Sequence, residues 1–208
     1  MESQWVSNNF VYSDRKQDEQ TVEFLNSKMD EIYSKNGYHF ARNYDRELQL
    51  HGVDLICSNK DITYYIDEKA AIKYYNIQLN TFSFEVGSNV AKGWFREDNN
   101  YVITTHYVLI YPKAYSKDLS DMYEIEYIII KKDSIWYYLH KVGVGDIYSI
   151  KDILSKANIN EWGKKSVYVS KGVKVVHSLN IRPEQPINIV INKEILKSLS
   201  NKHEIVKI

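Results

Sequence analysis

Gly52-Val53-Asp54-Leu55-Ile56-Cys57 and Ile62-Thr63-Tyr64-Tyr65-Ile66-Asp67-Glu68-Lys69-Ala70 are two apolar runs joined by the polar turn Ser58-Asn59-Lys60-Asp61. β-Branched and aromatic residues dominate both runs, so the stretch reads as a hairpin with a four-residue turn. Residues two apart on a strand share a face, which points Asp67 and Lys69 together and Glu68 away. Asp54 stands between Val53 and Leu55 on the partner strand, where an acid is expensive unless it has a partner or a function. Two carboxylates converging on one spot repel unless a cation joins them, and hard oxygen ligands with an open side suit Mg²⁺ or Mn²⁺. A metal held there lowers the pKa of bound water and offsets charge building on a phosphate, and Lys69 would orient the attacking water or offset that charge.

Outward from the hairpin, residues 18–35 read as a helix. Val22, Leu25, Met29 and Ile32 recur at three- and four-residue spacing, Asp18 and Glu19 suit its positive end, and Asn36-Gly37 stops it. Downstream, residues 80–86 suggest a strand closed by Gly87-Ser88, and 101–111 and 123–131 are long β-rich segments that 134–140 could extend as a further strand. Residues 147–157 suit a short helix, 166–170 and 173–177 a hairpin around Lys171-Gly172, 187–191 a strand and 193–200 a last helix. The order predicts an α/β (α+β) fold, a central mixed β-sheet flanked by helices.

The chain has 208 residues, 44% hydrophobic and 26% charged, with no linker, so a single domain over 1–208 is expected. No apolar run approaches the roughly 20 residues of a membrane span. The opening Met1-Glu2-Ser3-Gln4-Trp5 lacks the basic flank and apolar block of an export signal, and the single Cys57 fits a reducing compartment. The expected location is cytoplasmic, with no membrane partner. Basic and acidic residues both number 27, so the net charge is zero and attraction to nucleic acid would have to be local. The 18 tyrosines, with abundant Lys, Asn and Ile, read as compositional bias.

Gly52-Val53-Asp54 followed by Asp67-Glu68-Lys69, with a helix before and strands after, resembles the PD-(D/E)xK nucleases of the restriction endonuclease-like superfamily. There the first acid lies on one strand of a hairpin, and the second acid and the lysine lie on the next. Asp54 matches the first acid, Asp67 the second and Lys69 the lysine, while Val53 stands where the family often has proline. The family often adds an acid from the preceding helix, for which Glu23 and Glu19 are candidates, and Glu47 before the strand is a third. The resemblance implies a restriction endonuclease-like core over about 18–140 with a C-terminal α/β elaboration. It implies a Mg²⁺- or Mn²⁺-dependent endonuclease acting on DNA, with Asp54 and Asp67 as metal ligands. A homodimer would supply the two sites that cutting both strands requires. The alternative within the fold is a non-catalytic protein that binds nucleic acid or a protein partner. A third reading, outside it, pairs Asp54 with Lys69 as a buried structural ion pair.

Gln78, Thr81 and Glu85 are candidates to continue the site, because Thr81, Ser83 and Glu85 share a strand face opposite Phe82, Phe84 and Val86. A solvent-facing sheet surface explains them equally. Gly93-Trp94-Phe95 reads as core rather than a base-stacking platform, and Lys92, Arg96 and Lys113 as surface cations that could meet phosphate. His39, His51, His106, His140, His177 and His203 lack zinc-site spacing, and His106 reads as a hydrogen-bonded structural histidine. No phosphate-binding glycine loop, dinucleotide fingerprint or serine-hydrolase elbow is present.

Overall fold

The computed structural model describes residues 3–58, 62–88, 93–95, 103–179 and 185–208, with side chains from Glu19 onward. Its first half runs α1 (Ser3–Lys35), β1 (His39–Arg42), α2 (Arg46–Leu50), β2 (Leu55–Ser58), β3 (Thr63–Ala70), a 3₁₀ turn (Ile72–Tyr74), β4 (Thr81–Gly87), β5 (His106–Ala114) and β6 (Met122–Lys131). Then follow α3 (Lys132–Lys141), α4 (Ile147–Ser155), β7 (Lys164–Ser170), β8 (Val173–Ser178), β9 (Ile187–Asn192), α5 (Lys193–Leu199) and β10 (Lys202–Lys207). The protein is a mixed α+β structure built on two sheets.

The first sheet has six strands in the order β1-β2-β3-β5-β6-β10, antiparallel throughout except where β3 runs parallel to β5. The second has four antiparallel strands in the order β4-β9-β8-β7. The strands thus cross the boundary expected near residue 140: β4 pairs with C-terminal β9, and C-terminal β10 completes the first sheet. No helix among the described residues is long and apolar enough to cross a membrane.

Strand alternation gives each face of the first sheet its own core. Leu55, Ile66, Val108 and Ile110 bury against Leu25, Met29, Ile32 and Tyr33 of α1. Each such side chain, fully buried, contributes about 1.5–3 kcal/mol. On the other face Tyr107, Leu109, Tyr111, Ile128 and Ile130 pack with Phe84, Val175, Ile189 and Ile191 of the second sheet. Register places Asp67 opposite Tyr107 and Lys69 opposite Leu109, so both belong to the face that the second sheet covers. Glu68 belongs to the α1 face.

Three expectations are corrected. The first helix begins at Ser3, because 3–17 contain neither glycine nor proline to stop it. Residues 134–140 are not a strand but part of α3: Ile135-Trp136-Tyr137-Tyr138 is rich in strand formers, yet burial recurs at Ile135, Trp136 and Leu139, the spacing of a helix face. The β-rich segment expected from 101 pairs only from His106. Its first two residues, like 59–61 of the hairpin turn, lie outside those described. β1 and α2 carry too few residues for periodicity to reveal, and β10, as long as β9, lies beyond the last helix expected from the sequence.

Candidate active site

Asp54 enters from a backbone pinned on all sides. Gly52 adopts φ +75°, a conformation glycine takes without strain, and swings the chain out of α2 into β2. The Asp54 N–H donates to Ile66 O at 2.9 Å, and Asp54 O accepts from Asn43 N at 2.9 Å. Asn43 Nδ2 donates to Val53 O at 2.7 Å, and Thr104 Oγ1 donates to Gly52 O at 3.2 Å. The carboxylate is held too, because the Glu68 N–H donates to Asp54 Oδ2 at 2.9 Å.

Asp67 lies beside it, with no exposed surface. The Lys69 ammonium pairs with Asp67 Oδ1, as strand parity requires. Asp67 Oδ2 is buried with no hydrogen-bond partner among the described residues. Burial pushes the Asp67 carboxyl up to about 8; Lys69 opposes the shift and the neighbouring Asp54 carboxylate adds to it. Two carboxyls this close repel when both are ionised, so the pair keeps a proton or takes a cation between them. Lys69 also lies over the Trp94 ring, its Nζ 5.1 Å from the centroid. Trp94 packs on Phe84 at 5.7 Å between centroids, so β4 helps hold the lysine.

On the opposite face Glu68 is satisfied. Arg42 pairs with its Oε2, and the Tyr33 hydroxyl donates to Oε1 at 2.6 Å. Arg42 is shared with Asp30, whose Oδ1 lies 2.6 Å from Nη2. Burial raises the Glu68 carboxyl, opposed by Arg42 and the Tyr33 hydroxyl. A cleft of about 770 Å³ opens between α1 and this corner, lined by Glu23, Asp30, Arg42, Asp54, Glu68 and Lys69 among others.

Of the additional candidates, Glu23 lines that cleft, and it is the one the structure brings to Asp54. Glu19 does not line it. Glu47 is exposed in the first turn of α2, where its N–H donates to the Asp45 cap at 2.8 Å. Gln78 is exposed beside the small pocket of Tyr111 and Lys193. Thr81 and Glu85 belong to the second sheet. Phe95 is core and Trp94 half-buried, as the sequence suggests, while Lys92 and Arg96 lie outside the described residues. Lys113 is occupied by Glu124 at 2.6 Å. His106 is buried with Nδ1 3.0 Å from Thr105 Oγ1, and burial lowers its pKa, as fits a structural, neutral imidazole. Arg42, Asp30, Tyr33 and Asn43 were not legible beforehand, since their partners lie 10 to 35 positions away.

Among the described residues no group of three or more His, Cys, Asp or Glu side chains is arranged to hold a metal ion. Two carboxylates suffice for Mg²⁺ in principle, because it keeps several waters and takes one or two protein carboxylates with substrate phosphate oxygens. The unused Asp67 Oδ2 next to Asp54 fits that donor set. No protein-family model matches the chain, no curated protein matches its sequence, and no solved structure matches it.

Proposed function

We propose that the corner formed by Asp54, Asp67 and Lys69 is the centre of a Mg²⁺- or Mn²⁺-dependent DNA endonuclease with a restriction endonuclease-like fold. The observation that carries this reading is Asp67 itself: wholly buried, one oxygen on Lys69, the other without a partner, and a second carboxylate alongside. The architecture supports it through a helix before the hairpin, the first acid at the entry of β2, acid-x-lysine on β3 and a mixed sheet.

Asp54 and Asp67 would hold the cation, which when bound makes a nucleophile of water and offsets charge on the phosphate. Asp67 keeps its proton below about pH 8, so metal binding releases that proton and tightens as pH rises. Lys69, held by Asp67 and Trp94, would orient the attacking water or offset charge building on the phosphate.

The test is isothermal calorimetry with Mg²⁺ and Mn²⁺ beside cleavage assays on supercoiled, linear duplex and single-stranded DNA. Wild type should show both binding and cleavage, and Asp67→Asn neither, with its melting temperature not lowered. Wild type lacking both would refute the proposal. A second reading, a non-catalytic protein of this fold, draws on the absence of a third ligand among the described residues; it predicts DNA or protein binding that survives Asp67→Asn.

A further inference from the structure

We propose that the outer face of the four-stranded sheet, centred on Tyr168, Lys164 and Lys174, binds single-stranded nucleic acid. The surface is separate from the Asp54–Asp67 corner and does not depend on cleavage there. Along β7 and β8 the odd-numbered residues Val169, Val173 and Val175 join the core, which turns Lys164, Ser166, Tyr168, Lys174 and Val176 to the other side. Ladder register sets Tyr168 directly opposite Lys174, whose Nζ lies 5.6 Å from the centre of the ring. Ser83, Asn188 and Val190 continue the same face across β4 and β9. The helices in contact with this sheet, α4 and α5, bury Ile150, Leu154 and Leu196 into the inner core, so among the described residues no helix is packed on the outer side.

Charge chooses the occupant. The eleven residues from Lys164 to Lys174 carry four lysines and no acid, in a chain whose formal charge is zero. None of the four is paired with a carboxylate among the described residues, whereas Lys28, Lys113, Lys193 and Lys202 all are. The cleft between α1 and the hairpin is the reverse, with Glu23, Asp30, Asp54 and Glu68 against Arg42 and Lys69. A polyanion is therefore attracted to the sheet without any added cation, whereas the cleft needs a bound cation to offset its carboxylates first. The aromatic component favours single strands: Tyr168 is 74% exposed, and Trp162, just ahead of β7, is 71% exposed. Large aromatic faces left in water beside unpaired lysines are the elements on which unstacked bases and a tracking backbone bind, whereas a duplex hides its base faces.

The experiment is fluorescence anisotropy of the full chain with labelled oligothymidylate, in EDTA to prevent cleavage, over a range of salt. Wild type should bind, with affinity falling as salt rises. Tyr168→Ala should weaken binding about 10-fold or more. Lys164→Gln with Lys174→Gln should lower the slope of log affinity against log salt by about 1.4. Because these side chains face away from the core, circular dichroism and melting should match wild type. Asp67→Asn should bind as wild type does, so a failed nuclease reading would leave this result standing. The proposal is overturned if duplex DNA binds as tightly as the single strand, if anionic vesicles bind in place of oligonucleotide, or if the variants leave affinity and salt slope unchanged.

Discussion

Asp67 and Glu126 are both buried carboxylates of the first sheet, on the strands that flank β5, and their surroundings drive them in opposite directions. Glu126, 5% exposed, has Lys193 Nζ 2.7 Å from Oε2, with Lys197 Nζ at 3.2 Å and His203 Nε2 at 3.0 Å from Oε1. Burial works against its charge, but Lys193, His203 and Lys197 outweigh burial and push the acid down to about 2. Asp67 has one lysine, an unused oxygen and a neighbouring acid, and is pushed up to about 8. Glu126 has more donors than its charge requires, and Asp67 has fewer.

The comparison breaks first at Glu126. Lys197 keeps Glu194, but the buried Lys193 loses its carboxylate, so Glu126→Ala should cost about 3–5 kcal/mol in urea unfolding. Lys193, 5% exposed, is then stranded over the Tyr111 ring. Asp67→Asn, which removes a group the fold finds hard to ionise, should be neutral or stabilising at pH 7. A Glu126→Ala loss below 1 kcal/mol would mean that surplus cations are not how this molecule stabilises a buried acid.

Metal sharpens the contrast. With Mg²⁺ or Mn²⁺ at one hundred times its dissociation constant, a native-state site adds about 2.7 kcal/mol to unfolding. Wild type and Glu126→Ala should both show that increment in thermal melts, and Asp67→Asn should show none. An equal increment in Asp67→Asn would move the metal elsewhere on the surface.

Stability against pH separates the acids by sign. Asp67 rises from 3.8 unfolded to about 8 folded, so the native state holds the extra proton between these values, and stability falls as pH climbs through that window. The slope is at most about 1.4 kcal/mol per pH unit. Glu126 falls from 4.5 to about 2, so its contribution is present above 4.5 and is lost as pH drops through that interval. In metal-free buffer, Asp67→Asn should flatten the slope above pH 4 and leave the acid limb intact. Unchanged slope in the variant would assign the titration to another group.

The hairpin was legible because its information is local. Alternation from Ile62 to Ala70 put Asp67 with Lys69 and Glu68 opposite, and the structure has that arrangement. What stayed hidden depends on long-range pairing: β4 leaves the sheet of its neighbours for β9, and β10 returns beside β6, choices made by which apolar faces can bury each other. α3 was hidden for the opposite reason, since its β-branched and aromatic residues favour a strand locally and tertiary packing overrides them. Around the site, Glu47 and Gln78 carry the right chemistry in the wrong place. Arg42 carries no sequence signal at all, although it anchors Glu68.

Glu68 is the intermediate case, one position from Asp67 and on the other face. Its two oxygens are taken by Arg42 and the Tyr33 hydroxyl, enough to satisfy it but short of the two lysines and the histidine around Glu126. Tyr33→Phe removes one donor and leaves the guanidinium, so the loss should be about 1 kcal/mol in chemical denaturation, the net worth of an ordinary hydrogen bond. Cleavage and metal binding should not change, because β3 stands between this hydroxyl and the Asp67 face. If Tyr33→Phe instead abolished metal binding as Asp67→Asn is expected to do, the two faces of β3 would act as one site. Asp54, whose Oδ2 accepts the Glu68 N–H, would then be the link between them.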